Sequence, residues 1–175
     1  MNTIDLYDKV CLKASRHTTY SYSTSFSLGI RSLDRRFHAP IHSIYGFVRF
    51  ADEIVDTFHG FDKSVLLNRF REDTDRAVTE GISLNPILHS FQRVVHRYGI
   101  ERELYDTFLD SMAMDLTDNA HDQRSFEKYI LGSAEVVGLM CLRVFCEGDD
   151  ALYQKLKPAA MDLGAAFQKV NFLRD

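Results

Sequence analysis

Only 3 prolines and 9 glycines interrupt this 175-residue chain, and the apolar residues between them recur at intervals of three and four rather than two. That period belongs to helices whose apolar stripe faces a core, so the chain is read as all-α. The expected helices run over 3–20, 34–58, 62–80, 84–98, 101–119 and 125–147, with a last one reaching the end of the chain. Gly81 and Gly99 mark helix ends, Pro40 marks a first turn or a kink, and Asp149 or Asp150 is the candidate cap of the last helix. In the 84–98 segment, Leu84, Ile87, Leu88, Phe91, Val94, Val95 and Tyr98 form one stripe, whereas Val136 to Phe145 is apolar almost all round. The latter suits a helix enclosed by others or lining an apolar cavity. The length fits one domain, 1–175, with a core that needs no disulfide or metal staple.

Composition narrows the function classes. The 21 basic and 25 acidic residues give a net charge of −4, with no basic run interleaved with aromatics, which argues against a nucleic-acid binder. Cys11, Cys141 and Cys146 lack CxxC spacing and lie in apolar helical settings, so they are read as free thiols and buried hydrophobes in a reducing, cytoplasmic compartment. No secretory signal or run of 18 apolar residues is present, which leaves peripheral membrane contact open.

The residues that carry chemistry lie between 45 and 56. At 100° per residue, Tyr45, Arg49, Asp52 and Asp56 fall within about 60° of one another on a helix. Carboxylates at i and i+4 repel by roughly 0.2–0.5 kcal/mol on an isolated helix, and by more when desolvated. A buried pair therefore calls for a cation such as Mg²⁺, which prefers carboxylate oxygens. A solvated acidic patch is the commoner meaning of an isolated DxxxD, so a second signal is needed. The C-terminal segment supplies it, because Gln168, Asn171 and Asp175 again share about 60° of a helix. Two helices presenting oxygen ligands to a shared cavity is how helical bundles build metal sites. The Ser/Thr-rich stretch 20–25 reads as a helix break and a candidate anion loop. His38 and His42 read as surface histidines, and His89 and His96 as ordinary polar-face residues.

Three stretches together resemble the squalene/phytoene synthase family: the Ser/Thr loop with 45–56, the run 129–138 (YILGSAEVVG), and 164–175 (GAAFQKVNFLRD). The segment 112–116 (MAMDL) adds a weaker, phytoene-synthase-like signature. The resemblance implies a terpenoid-synthase-like helical bundle around a central cavity. It assigns Asp52, Asp56, Asn171 and Asp175 as Mg²⁺ ligands, with Mn²⁺ as a substitute ion and Glu53 in support. It places Tyr22, Ser23, Thr24, Ser25, Tyr45, Arg49, Tyr129, Gln168 and Arg174 around prenyl diphosphate substrates of C20 or C15 length, with Asp52, Asp56, Arg49 and Asp175 as the catalytic set. The implied reaction is Mg²⁺-dependent head-to-head condensation of two geranylgeranyl diphosphates to phytoene. Squalene or dehydrosqualene formation from farnesyl diphosphate is the alternative, NADPH being needed only for squalene.

Two departures accompany the resemblance. The family pattern continues past Asp175 to a further aspartate and more helices, so the chain is expected to be truncated at its C-terminus. Glu135 stands where a small residue is usual and is expected to be paired or to face a helix interface. Two other classes compete. A carboxylate-bridged di-iron bundle requires paired Glu-x-x-His motifs, and no glutamate here begins one. A non-catalytic prenyl-diphosphate binder is kept in view by the missing aspartate.

Overall fold

A computed structural model describes residues 3–117 and 131–174, with side chains over 3–116 and 132–168. Every element among them is helical: α1 (Thr3–Tyr22), α2 (Thr24–Ser32), α3 (Arg35–Asp56), α4 (Lys63–Glu80), α5 (Pro86–Tyr98), α6 (Arg102–Thr117), a π-helical turn (Leu131–Glu135), α7 (Val136–Cys146) and α8 (Asp150–Arg174). The part of the expected 125–147 helix before 131 lies outside the described residues.

Local chemistry sets the helix ends. Asp34, Asp62 and Asn85 accept hydrogen bonds from first-turn amides of α3, α4 and α5, and Asp149 accepts from the Leu152 N–H at the start of α8. Gly81 and Gly99 close α4 and α5 at φ of 70° and 64°, left-handed conformations that a Cβ would disfavour. Pro40 neither starts nor ends a helix. It sits in the second turn of α3, already capped by Asp34, where it deprives the Arg36 carbonyl of its i+4 donor. The Ser/Thr-rich break shrinks to one residue, Ser23, which caps α2 by accepting from the Phe26 N–H at 3.1 Å. The expected loop is thus a helix–helix junction, with Thr24 and Ser25 in the first turn of α2. Leu84 stands before α5, 95 % exposed, and so drops out of the α5 stripe.

α3 is the central element, in contact with α1, α5, α4, α6 and α7. Its Phe47 is fully buried and stacks on Phe91 of α5, centroids 4.0 Å apart and planes 6° apart. Phe70 of α4 and Phe108 of α6 complete the cluster at 5.7 and 5.6 Å. α8 lies against α7 and the π turn, where space is so short that a Cβ on Gly164 would come 2.9 Å from the Ala134 carbonyl oxygen. One on Gly132 would meet the Ser111 Cβ at 2.6 Å.

Two histidines depart from the sequence reading. His89 is buried at 1 % exposure; its Nε2–H donates to Asp8 Oδ1 at 2.8 Å while Nδ1 accepts from the Ser83 N–H at 3.3 Å. With Arg93 on the other Asp8 oxygen at 2.5 Å, it ties α1 to α5. His42 is likewise buried, between α3 and α1, with Nδ1 2.9 Å from Thr19 Oγ1. The sequence pattern hides both, because a buried histidine looks polar until its partner from a distant segment is known. All three cysteines are free, and burial raises each thiol, Cys141 to about 12, as expected of unreactive core residues.

Phe47→Ala is expected to destabilise the protein by about 3–5 kcal/mol, read as a lower urea midpoint at unchanged m-value.

Candidate functional site

Burying Phe47 determines what α3 shows on its other side. Tyr45, Arg49, Asp52 and Asp56 lie about 140–180° around the helix from Phe47, and their exposure rises along the helix from half-buried Tyr45, Arg49 and Asp52 to exposed Asp56. The α1–α2 junction meets this face. The Phe26 ring of α2 packs on Tyr45 with centroids 5.0 Å apart, and the Arg49 guanidinium lies over the Tyr22 ring at 4.4 Å.

Arg49 already has an anionic partner. Its Nε and Nη2 both donate to Glu53 Oε2, at 3.1 and 2.5 Å, and this contact holds the Glu53 carboxyl below its ordinary range. An incoming phosphate would have to share or displace Glu53 to reach the guanidinium. Ser23 is also engaged, through its capping bond and a 3.4 Å contact with the Ser25 hydroxyl, while Thr24 and Ser25 are exposed at the start of α2.

The carboxylates on this face are out of balance. Asp52 is pushed up to about 7, first by burial and then by Asp56, with Asp115 and Glu53 adding to the effect and Arg49 opposing it. Asp115 comes from α6, one of the helices packed on α3. The sequence signature 112–116 contained it, but only packing of α6 on α3 shows which carboxylates it joins. An inserted cation would remove the mutual repulsion of Asp52, Asp56 and Asp115, and the hard oxygen donors suit Mg²⁺ or Mn²⁺. Among the described residues, no three acidic, histidine or cysteine side chains already enclose an ion-sized space. A bound metal would therefore need oxygens from elsewhere, such as a substrate.

The structure thus brings together Tyr22, Ser23, Tyr45, Arg49, Asp52 and Asp56, with Thr24 and Ser25 alongside in α2. The second expected group is only partly in view. Gln168 is half-buried on α8; the side chains of Asn171 and Arg174 lie outside the described residues, as do Tyr129 and Asp175 entirely. Glu135, half-buried, ends the π turn immediately before α7.

The family model described as squalene/phytoene synthase matches residues 20–175. The chain is 28% identical over 166 residues to a presqualene diphosphate synthase of Rhodopseudomonas palustris, an alignment covering 91% of this chain and 56% of that protein. It is 29% identical over 176 residues to a phytoene synthase of Pseudescherichia vulneris, with 94% and 55% covered. The chain thus spans about half the length of these relatives. A dehydrosqualene synthase crystal structure in complex with ligand superposes with a TM-score of 0.83 at 20% identity, over 99% of this chain and 59% of the other. A squalene synthase from Alicyclobacillus acidocaldarius gives 0.83 at 21%, over 95% and 61%. The likeness to these two structures establishes the helical fold.

The raised Asp52 carboxyl has a thermodynamic consequence. The native state keeps a proton that the unfolded chain releases, so without divalent metal the stability contribution of Asp52 is lost as pH rises from about 4 to about 7. Urea denaturation at stepped pH in chelator is expected to show this decline, and Asp52→Asn to flatten it.

Proposed function

Because this chain belongs to the squalene/phytoene synthase family, whose members are prenyltransferases, we propose that it binds prenyl diphosphates at the Tyr45–Asp56 face of α3 and couples two of them head to head. The observation that supports this most directly is the Asp52–Asp56 pair one turn apart on α3, with Asp115 of α6 adding to the repulsion at half-buried Asp52, beside an arginine held between Tyr22 and Glu53. Asp52 and Asp56 would hold Mg²⁺, with Asn171 and Asp175 as further ligands in this reading. When bound, the ion neutralises diphosphate charge and acts as a Lewis acid toward the leaving group.

The chain's own residues have separate tasks. Arg49 takes diphosphate oxygens by exchanging Glu53 for the substrate, and the Thr24 and Ser25 hydroxyls donate to the remaining oxygens. Together these donors stabilise the negative charge that develops as the allylic C–O bond breaks and the diphosphate departs with the electron pair. The C1–C2–C3 allyl cation left behind is attacked by the double bond of the second substrate, and loss of a proton closes a cyclopropylcarbinyl diphosphate. A second ionisation and rearrangement give the 1-1′ linkage, with proton loss ending phytoene formation. In this reading Tyr45 would line the site and Gln168 would lie near the substrates, with Tyr129 and Arg174 given the same roles by the family resemblance alone. The favoured substrate is geranylgeranyl diphosphate and the product phytoene, which would place the chain in carotenoid biosynthesis. A presqualene-, squalene- or dehydrosqualene-forming reaction from farnesyl diphosphate is the second reading, favoured by the presqualene diphosphate synthases among the relatives.

Calorimetry with a non-ionisable geranylgeranyl thiodiphosphate is the direct test. Binding should require Mg²⁺ and weaken about 10-fold or more in Asp52→Ala. Equal affinity in chelator, or in the variant, would remove the α3 face from the reading. Product analysis with C20 and C15 diphosphates then separates phytoene from the presqualene series.

A further inference from the structure

The first three helices enclose a second concave surface of opposite charge. A cleft of about 540 Å³ opens between α1, α2 and the first half of α3, edged by Lys13 and Arg16 of α1, Arg31 of α2 and Arg35 of α3. His38 and His42 also line it, and no carboxylate does. Several arginines elsewhere are ion-paired, among them Arg49 with Glu53, Arg71 with Asp110, Arg102 with Asp106 and Arg143 with Asp150. None of the four cleft cations has such a partner among the described residues, and Arg16 rests over the Tyr20 ring at 5.3 Å. Four cations gathered without counter-charge, on a chain whose net charge is −4, create a local positive potential that an anion would relieve.

The buried wall of the cleft is a neutral histidine, which supplies no counter-charge to the four cations. Thr19 Oγ1 uses its own hydrogen on the Ser15 carbonyl, so the hydroxyl accepts from His42 Nδ1–H. That leaves Nε2 as the remaining polar atom of a ring that lines the cleft. Burial first, then Arg16 and His38, lower the His42 pKa to about 4, in keeping with an uncompensated positive field at this wall.

We propose that the Lys13–Arg16–Arg31–Arg35 cleft is a metal-independent anion site that takes the phosphate group of a ligand, separate from the carboxylate face of α3. Guanidinium forks from three helices match tetrahedral phosphate oxygens, and the cleft accommodates a small polyanion. The phosphate can come from a soluble diphosphate or from an anionic lipid headgroup. Leu28, 57 % exposed and one helical turn before Arg31 on α2, offers apolar surface on the same helix for the second source.

The test is run in chelator, where the carboxylate face of α3 repels anions. Calorimetry with inorganic pyrophosphate should give one site, weakened about 10-fold or more in Arg16→Gln/Arg35→Gln and unchanged in Asp52→Asn. A parallel sedimentation assay uses phosphatidylglycerol/phosphatidylcholine vesicles. Pelleting lost in the double variant assigns a lipid headgroup, and pyrophosphate binding without pelleting assigns a soluble phosphate. Both substituted residues are exposed, and Lys13→Gln/Arg31→Gln provides an independent pair from the same rim. Failure of folded protein to bind in both assays overturns the proposal, as does binding that both double variants retain.

Discussion

The face-to-face stack of Phe47 on Phe91 is the contact that orients everything else. It joins α3 to α5, and with Phe70 and Phe108 it gathers four helices around one side chain. Because a helix turns 100° per residue, fixing Phe47 inward fixes Tyr45, Arg49, Asp52 and Asp56 outward. The polar face is thus a geometric consequence of the core, and a shift in the aromatic cluster would rotate the carboxylates with it.

α3 then carries two electrostatic environments along one rod. Its first half, with Arg35, His38 and His42, joins Lys13, Arg16 and Arg31 in a cationic cleft. Its second half carries Asp52 and Asp56, and burial first, then Asp56 and the Asp115 carboxylate of α6, push Asp52 up to about 7. Arg49 stands between the halves, compensated locally by Glu53 and supported by the Tyr22 ring. Opposite charges are thus kept apart along one helix. α1 touches both regions, since it supplies Lys13 and Arg16 to the cleft and Tyr22 to the Arg49 side.

Features that depend on neighbours in sequence could be read from sequence. The helices, the caps at Gly81 and Gly99, and the shared face of residues 45–56 all rest on spacings of a few residues, and they recur among the described residues, to which the structure adds α2 (Thr24–Ser32), a helix the sequence reading did not expect. The Ser/Thr stretch was misleading because a single capping hydroxyl, that of Ser23, is enough to turn the chain from α1 into α2. Leu84 fitted the α5 stripe by number alone, yet Asn85 starts the helix after it. Buried His42 and His89 owe their positions to Thr19 and Asp8, distant in the chain, and no local period reveals such partners.

The sequence by itself determined the all-helical class, the DxxxD face and the family, because each is encoded in short-range spacing and side-chain chemistry. Tertiary structure decided which charges meet. Asp115 reaches the environment of Asp52 only because α6 packs on α3, and four cations from three helices share a cleft only because those helices pack side by side. The physical reason is range: helix periodicity acts over a few residues, whereas electrostatic coupling depends on distance in space, which is set by the packing of Phe47 and its neighbours.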